Sequence, residues 1–351
     1  MISYPDFKPY KITTPNNMGV VRYILAISVF IAHFSELTGS NLYFPISSYS
    51  AVGGFFALSG FLIYGSYLRK PDLRSYIVSR TWRLLPAYWI TVLFFAILLA
   101  AVSTLTPGEY FTSSRFLKYL VANLSFLNFM EPSLPGVFQS GTVTDAVNGS
   151  LWTMKVEWCL YLSVPAVAWL ISRFKISSIK TFVGIYIAAC IYRIGFLELY
   201  EYTGKEIYAL LSKQFFGQLS YFYSGVSIYF LLDKFLKYKW HILGFGVILL
   251  MGSYLIPYGQ IILHPAALSI IVVWFSMVGK WGTWEGKHDN FSYNIYLIHF
   301  PVIQLITTQF PQSSHHNLLI LFPLSLFITL ILSRRLCAIE KWIRKRRSRK
   351  G

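Results

Sequence analysis

The sequence predicts an all-α integral membrane protein, a bundle of about ten transmembrane helices with both termini in the cytoplasm. Three observations point there. Only 13% of its 351 residues are charged while 55% are hydrophobic, and a soluble domain needs about a quarter charged to solvate its surface. Apolar runs of roughly 20 residues, enough to cross a bilayer, recur along the chain. Lysine and arginine collect in alternate connecting segments, as orientation by positive charge requires.

By the length rule, spans fall near 18–38, 49–68, 84–104, 149–172, 181–200, 207–232, 240–257, 261–279, 290–310 and 317–334. Residues 1–17 are polar and proline-broken and read as a cytoplasmic N-terminal segment. The first apolar run lacks a small-residue cleavage site, so it is expected to stay as a helix rather than leave as a signal peptide. Residues 116–130 are short and carry Lys118, so an amphipathic helix lying in the interface fits them better than an eleventh span. Aromatic residues, 18% of the chain, suit anchoring at the membrane–water boundary.

Charge supports this arrangement. Inner segments would hold Arg69, Lys70, Arg74, Arg80 and Arg83, then Arg173, Lys175 and Lys180, then Lys234, Lys237 and Lys239, then Lys280 and Lys287. Lys8, Lys11 and Arg22 precede them, and nine more basic residues fill the stretch from Arg334 to Lys350. Outer segments hold Arg115, Lys118, Lys205 and Lys213. An eleventh span would reverse every later loop. The basic cytoplasmic tail, 335–351, follows a membrane helix and is expected to rest on anionic headgroups. Despite a net charge of +17, no nucleic-acid partner is expected. Cys159, Cys190 and Cys337 have no metal spacing and are too few for a disulfide scaffold, so all three are expected to pack.

Ionisable residues within spans cost at least ~2.5 kcal/mol on insertion scales and therefore mark function. In the first span Arg22, His33 and Glu36 share one helix face, at spacings of eleven and three residues. In the fourth, Glu157 enters from the opposite side and is expected at a depth similar to His33. A buried histidine with carboxylates can act as a general base, the carboxylate fixing its tautomer. Ser59 in FFALSGFLI comes to comparable depth, and Gly53, Gly54 and Gly60 permit close helix contact. His299, in SYNIYLIHFPV, fits either lining the site or packing. Arg80 and Arg83 lie at (i, i+3) where the third span is expected to begin, and guanidinium groups there suit phosphate recognition. No phosphate loop, zinc spacing or nucleophile elbow occurs.

In this order the segments resemble the acyltransferase 3 family of membrane O-acyltransferases. Arg22 with His33 resembles its opening signature, FFALSGFLI its second-helix motif, and Arg80–Trp82–Arg83–Pro86 its arginine–proline motif. Trp152, Glu157, Tyr161 and Pro165 resemble its Trp–Glu–Tyr–Pro stretch, and Tyr293, Tyr296, His299 and Pro301 a late Tyr–Tyr–His–Pro motif. Glu340 resembles a remnant of its C-terminal element. The likeness runs from about residue 18 to 342, with 18–334 as the transmembrane domain. The Asp-Gly often found before the first arginine is missing, and Trp158 stands where a second glutamate is common.

The resemblance implies an O-acetyltransferase of the bacterial inner or plasma membrane. Acetyl-CoA would be the donor, with no bound cofactor or metal, and a cell-surface or lipid-linked glycan the acceptor. His33, Glu36 and Glu157 would be catalytic, and Arg22, Arg80 and Arg83 would hold the donor. Ser59, Trp152, Tyr161, Tyr293 and His299 would line the substrate. No hydrolase-like domain is expected after the last helix, so the membrane domain would act alone. A proton-coupled transporter also places histidine and glutamate at midplane, but no inverted repeat or pair of broken helices supports it.

Overall fold

A computed structural model describes residues 16–139, 143–279, 291–309 and 315–348. Most of the N-terminal segment, Lys280, Lys287 and the last tail residues lie outside the described residues. Among those described, the secondary structure is helical throughout, with no strand. The helices are α1 (Met18–Thr38), α2 (Ser48–Arg69), α3 (Leu73–Leu98), α4 (Pro107–Thr112), α5 (Ser114–Leu124), α6 (Trp152–Phe174), α7 (Ser178–Thr203) and α8 (Glu206–Ser212). They continue with α9 (Phe215–Phe230), α10 (Leu232–Lys237), α11 (Lys239–Gly252), α12 (Gly259–Ile262), α13 (His264–Met277), α14 (Ser292–Gln309) and α15 (His315–Ser348).

Six of these are long and apolar enough to cross a bilayer: α1, α2, α3 with its following turn to Val102, α6, α7 and Leu318–Arg346 of α15. Each of the ten expected spans coincides with a helix, yet four fall short of that standard. The expected span 207–232 is broken at Lys213–Gln214 into α8 and α9. Helices α11 and α13 have 14 residues each, about 21 Å at 1.5 Å per residue. Helix α14 is long enough at 18 residues but carries Asn294, His299, Gln304 and two threonines. Two boundaries also move. Helix α3 starts at Leu73, so Arg80 lies about two turns and Arg83 nearly three turns inside it, and α15 runs unbroken into the basic tail. Helix α5 has 11 residues, too few to cross.

The chain divides into two compact units, residues 1–25, 49–81 and 156–288, and residues 26–48, 82–155 and 289–351. In the first, α2 and α9 meet backbone to backbone. A Cβ on Gly60 would collide with the Phe222 carbonyl, and one on Gly225 with the Ala57 carbonyl. Such small residues let membrane helices approach closely. The end of α13 is sealed by Asn17, whose amide donates to the carbonyls of Phe275 at 3.1 Å and Val278 at 3.2 Å, groups that no helical turn can satisfy. Ile187, Ile191, Ile248 and Met251 stay exposed on the outside of this unit, as a surface facing lipid requires.

In the second unit α14 is buried nearly all round and packs on α15. Glu340 of α15 is buried and accepts from Asn294 at 3.1 Å while pairing with Arg344 at 3.1 Å. The segment after α3 is ordered by its own polar contacts. Thr106 and Glu109 form a capping box at the start of α4, and the hydrogen bonds from Thr106 hold the Glu109 carboxyl below its usual range. Arg115 pairs with Glu131 at 3.0 Å, and the hydroxyls of Tyr88 and Tyr110 donate to the carbonyls of Asn123 and Ala96.

The glycine contact between α2 and α9 gives a direct test. Gly60→Ala and Gly225→Ala should each destabilise the purified protein by about 1–3 kcal/mol through overpacking. Gly244→Ala, where nothing lies within 4 Å, should leave the unfolding midpoint unchanged or raise it slightly, by the gain in helix propensity. Equal midpoints for all three would show that α2 and α9 do not touch as described.

Candidate active site

Within the second unit, α1 brings His33 and α14 brings His299 into contact. Nδ1 of His33 lies 2.7 Å from Nε2 of His299, with the rings nearly parallel at 7°. Nδ1 of His299 faces two backbone carbonyls, Tyr296 at 2.8 Å and Ile295 at 3.1 Å. Carbonyls only accept, so this nitrogen carries the proton. In a neutral ring Nε2 of His299 is then an acceptor, and Nδ1 of His33 must donate to it. What remains is the Nε2 lone pair of His33, the basic end of the pair. His299 is fully buried and His33 half-buried, with the Phe300 ring set edge-on 5.3 Å from His33.

The helix that carries His299 is braced at its proline. Pro301 has no N–H, so the Leu297 carbonyl loses its helical partner. The Asn148 amide replaces it at 2.8 Å. Ser150 donates to Asn148 at 2.7 Å and reaches the Tyr296 carbonyl at 3.3 Å. The Tyr296 hydroxyl and Thr153 lie 2.9 Å apart. Gly149 leaves room for the Phe300 ring, which a Cβ there would meet at 2.8 Å.

The same device recurs in the first unit. Pro165 frees the Tyr161 carbonyl, and the Tyr76 hydroxyl donates to it at 2.9 Å. The Tyr161 hydroxyl in turn donates to Glu157, and Ser59 reaches the same carboxylate oxygen at 3.5 Å. The Arg80 guanidinium sits 5.8 Å over the Tyr76 ring, with its Nε buried and unpartnered. Arg80, Tyr76, Tyr161, Glu157 and Ser59 thus form one connected series.

The sequence-predicted residues therefore sort into two groups. His33 and His299 meet in the second unit, and Ser59, Glu157 and Tyr161 in the first. Glu36 is exposed, and Nδ1 of His33 is held by His299. Arg22 and Trp152 are half-buried and Arg83 is exposed. Tyr293 donates to the Leu84 carbonyl at 3.1 Å. Asn148 and Tyr76 were not singled out from the sequence. A proline four residues after a carbonyl inside a span is the signal that such a partner must exist.

Residues 16–334 match the acyltransferase 3 family, described as an acyltransferase domain. The chain is similar to Nodulation protein 10 of Rhizobium leguminosarum bv. viciae, 25% identical over 168 residues, which is 46% of either chain. It is also similar to the O-acetyl transferase of Shigella phage Sf6, 24% identical over 152 residues, 42% of this chain and 44% of that one. These matches span under half the length of each relative. No solved structure matches.

The proline brace can be tested by rescue. Asn148→Ala should destabilise the protein by about 1–3 kcal/mol, the cost of an orphaned buried carbonyl. Adding Pro301→Ala returns an N–H to that carbonyl and should recover part of the loss. A double variant less stable than the sum of the two single changes would contradict this account.

Proposed function

The chain belongs to the acyltransferase 3 family, and on that premise we propose that it is a membrane O-acetyltransferase. It moves an acetyl group from cytoplasmic acetyl-CoA to a hydroxyl of a cell-surface or lipid-linked glycan. The observation that carries the reading is the histidine pair, which leaves one neutral imidazole with a fixed tautomer and a basic Nε2. The name of the phage relative, an O-acetyl transferase, points to acetyl and to an oxygen acceptor.

His33 Nε2 accepts the proton of the acceptor hydroxyl as that oxygen forms a bond to the thioester carbonyl carbon. The C–S bond then breaks, coenzyme A leaves as thiolate, and the imidazolium returns the proton to it. Neutral imidazole serves this role near pH 7 better than the other groups on α1, since Arg22 stays protonated. His299 holds the ring and, as His33 becomes charged, accepts its Nδ1–H bond more strongly. Glu157 is a second candidate for handling the acceptor's proton, set in place by Tyr161 and Ser59. Arg80, Arg83 and Arg22 would bind donor phosphates, for which the unpartnered Nε of Arg80 is suited.

The distribution of lysine and arginine supports ten spans with both ends cytoplasmic, the side from which acetyl-CoA would enter a bacterial inner or plasma membrane. Acetyl-CoA does not cross membranes, so sealed vesicles test donor, side and base together. Inside-out vesicles carrying the wild-type chain should acetylate their glycan when given acetyl-CoA, as mass spectrometry of the sugar reads. Right-side-out vesicles should not. His33→Gln should lower transfer by about 10²–10⁴-fold, and Arg80→Ala with Arg83→Ala should weaken acetyl-CoA binding. Unchanged acetyl content with and without the gene, or near-normal transfer by His33→Gln, would overturn the reading.

A further inference from the structure

The first unit holds a buried cation that the mechanism does not use. Arg193 lies on α7 and is 6% exposed. Its Nε and Nη1 are buried without a hydrogen-bond partner. Among the described residues no carboxylate pairs with it. A guanidinium taken out of water without a counter-charge is strongly unfavourable, and folds that keep one place an anion beside it.

The surroundings are built for such an anion. The guanidinium sits 5.3 Å over the Tyr49 ring, and the Tyr49 hydroxyl is likewise buried. The Tyr221 phenol is a neutral hydrogen-bond partner of both the Tyr49 hydroxyl and the guanidinium and lies 2.8 Å from Nδ1 of His264. Nε2 of His264 lies 3.1 Å from Ser50. Gly217 makes room for the arginine stem, since a Cβ there would meet Cγ of Arg193 at 2.9 Å. Tyr49 and Ser50 belong to the first turn of α2, Gly217 to that of α9, and His264 starts α13.

We propose that Arg193, with Tyr49, Tyr221 and His264, forms an oxyanion-binding site that takes the phosphate of a lipid-borne ligand. The level of the site argues for the lipid. Tyr49 and Ser50 stand in the first turn of α2, a helix long enough to cross the bilayer, so the site lies near a membrane face. Lipid phosphates sit at that level, in the headgroup layer. Assigning this phosphate to the acceptor, as the carrier linkage of a lipid-linked glycan, rests on the function proposed above; phosphate binding itself does not.

The test uses the full chain in phosphatidylcholine nanodiscs, with unfolding followed by tryptophan fluorescence. The probes are a polyprenyl monophosphate incorporated in the disc and inorganic phosphate in solution. Wild type should be stabilised by the lipid phosphate and scarcely by inorganic phosphate. The same stabilisation should persist in Arg80→Ala/Arg83→Ala, which removes the other candidate phosphate site. Arg193→Met should bind the lipid about ten- to hundredfold more weakly, the loss expected for charge-assisted hydrogen bonds. Without ligand it should be as stable as wild type or more so, because an unpaired buried charge has gone. Tyr49→Phe, which removes only a hydroxyl, should weaken binding with no loss of stability.

Equal stabilisation of Arg193→Met, or none of the wild type, would overturn the site. A lower midpoint for ligand-free Arg193→Met would make the arginine a structural group instead. Inorganic phosphate as effective as the lipid would overturn the lipid source. No acetyl donor is present, so failure of acetyl transfer in vesicles and failure here are separate results.

Discussion

The structure depends on what proline does to a helix surrounded by apolar material. In lipid or in a dry core no water is available for a carbonyl that has lost its N–H partner, so the protein must supply a donor. Pro165 and Pro301 each create such a carbonyl one turn back. Each is answered from another segment, by Tyr76 in one unit and Asn148 in the other. These bonds fix the position of α6 relative to α3, and of α14 relative to the segment before α6. The side chains next to the freed carbonyls are Glu157 with Tyr161, and His299. Proline thus anchors the segments that carry these side chains by forcing a polar contact about one turn before it.

The histidine pair converts that rigidity into a defined protonation pattern. Backbone carbonyls on α14 fix the proton of His299, which fixes the proton of His33, which leaves a single basic nitrogen. No carboxylate is needed for this, and the pair is neutral at rest. A neutral pair suits a buried position better than an imidazolium–carboxylate pair, because neither ring needs desolvated charge compensated before reaction. Charge develops only as the proton is taken, and the polarised chain of hydrogen bonds then stabilises it.

Much of this was legible in the sequence. Apolar runs gave the helices, and the succession of short motifs named the histidines, Glu157 and Tyr161. Tertiary partners were not legible. Helical periodicity puts Glu36 on the face of His33, but a neighbouring helix provides the nearer group. Hydropathy averages over the backbone, so it missed the break at Lys213–Gln214, where the flanking residues remain apolar. It also missed the reach of α15, because lysine and arginine are good helix formers and no glycine or proline stops the run. Arg193 is a lone cation within an apolar stretch, and only burial without a counter-charge distinguishes it from an arginine that reaches the surface.

Chemical rescue tests the central claim, that a basic ring nitrogen at position 33 drives transfer, most directly. His33→Ala removes the ring and opens space beside Phe300 and His299. Added imidazole should restore part of the acetyl transfer in inside-out vesicles. Pyrazole, of the same size and shape but far less basic, should not. Rescue by pyrazole to the same extent, or wild-type transfer by His33→Ala with nothing added, would contradict the account.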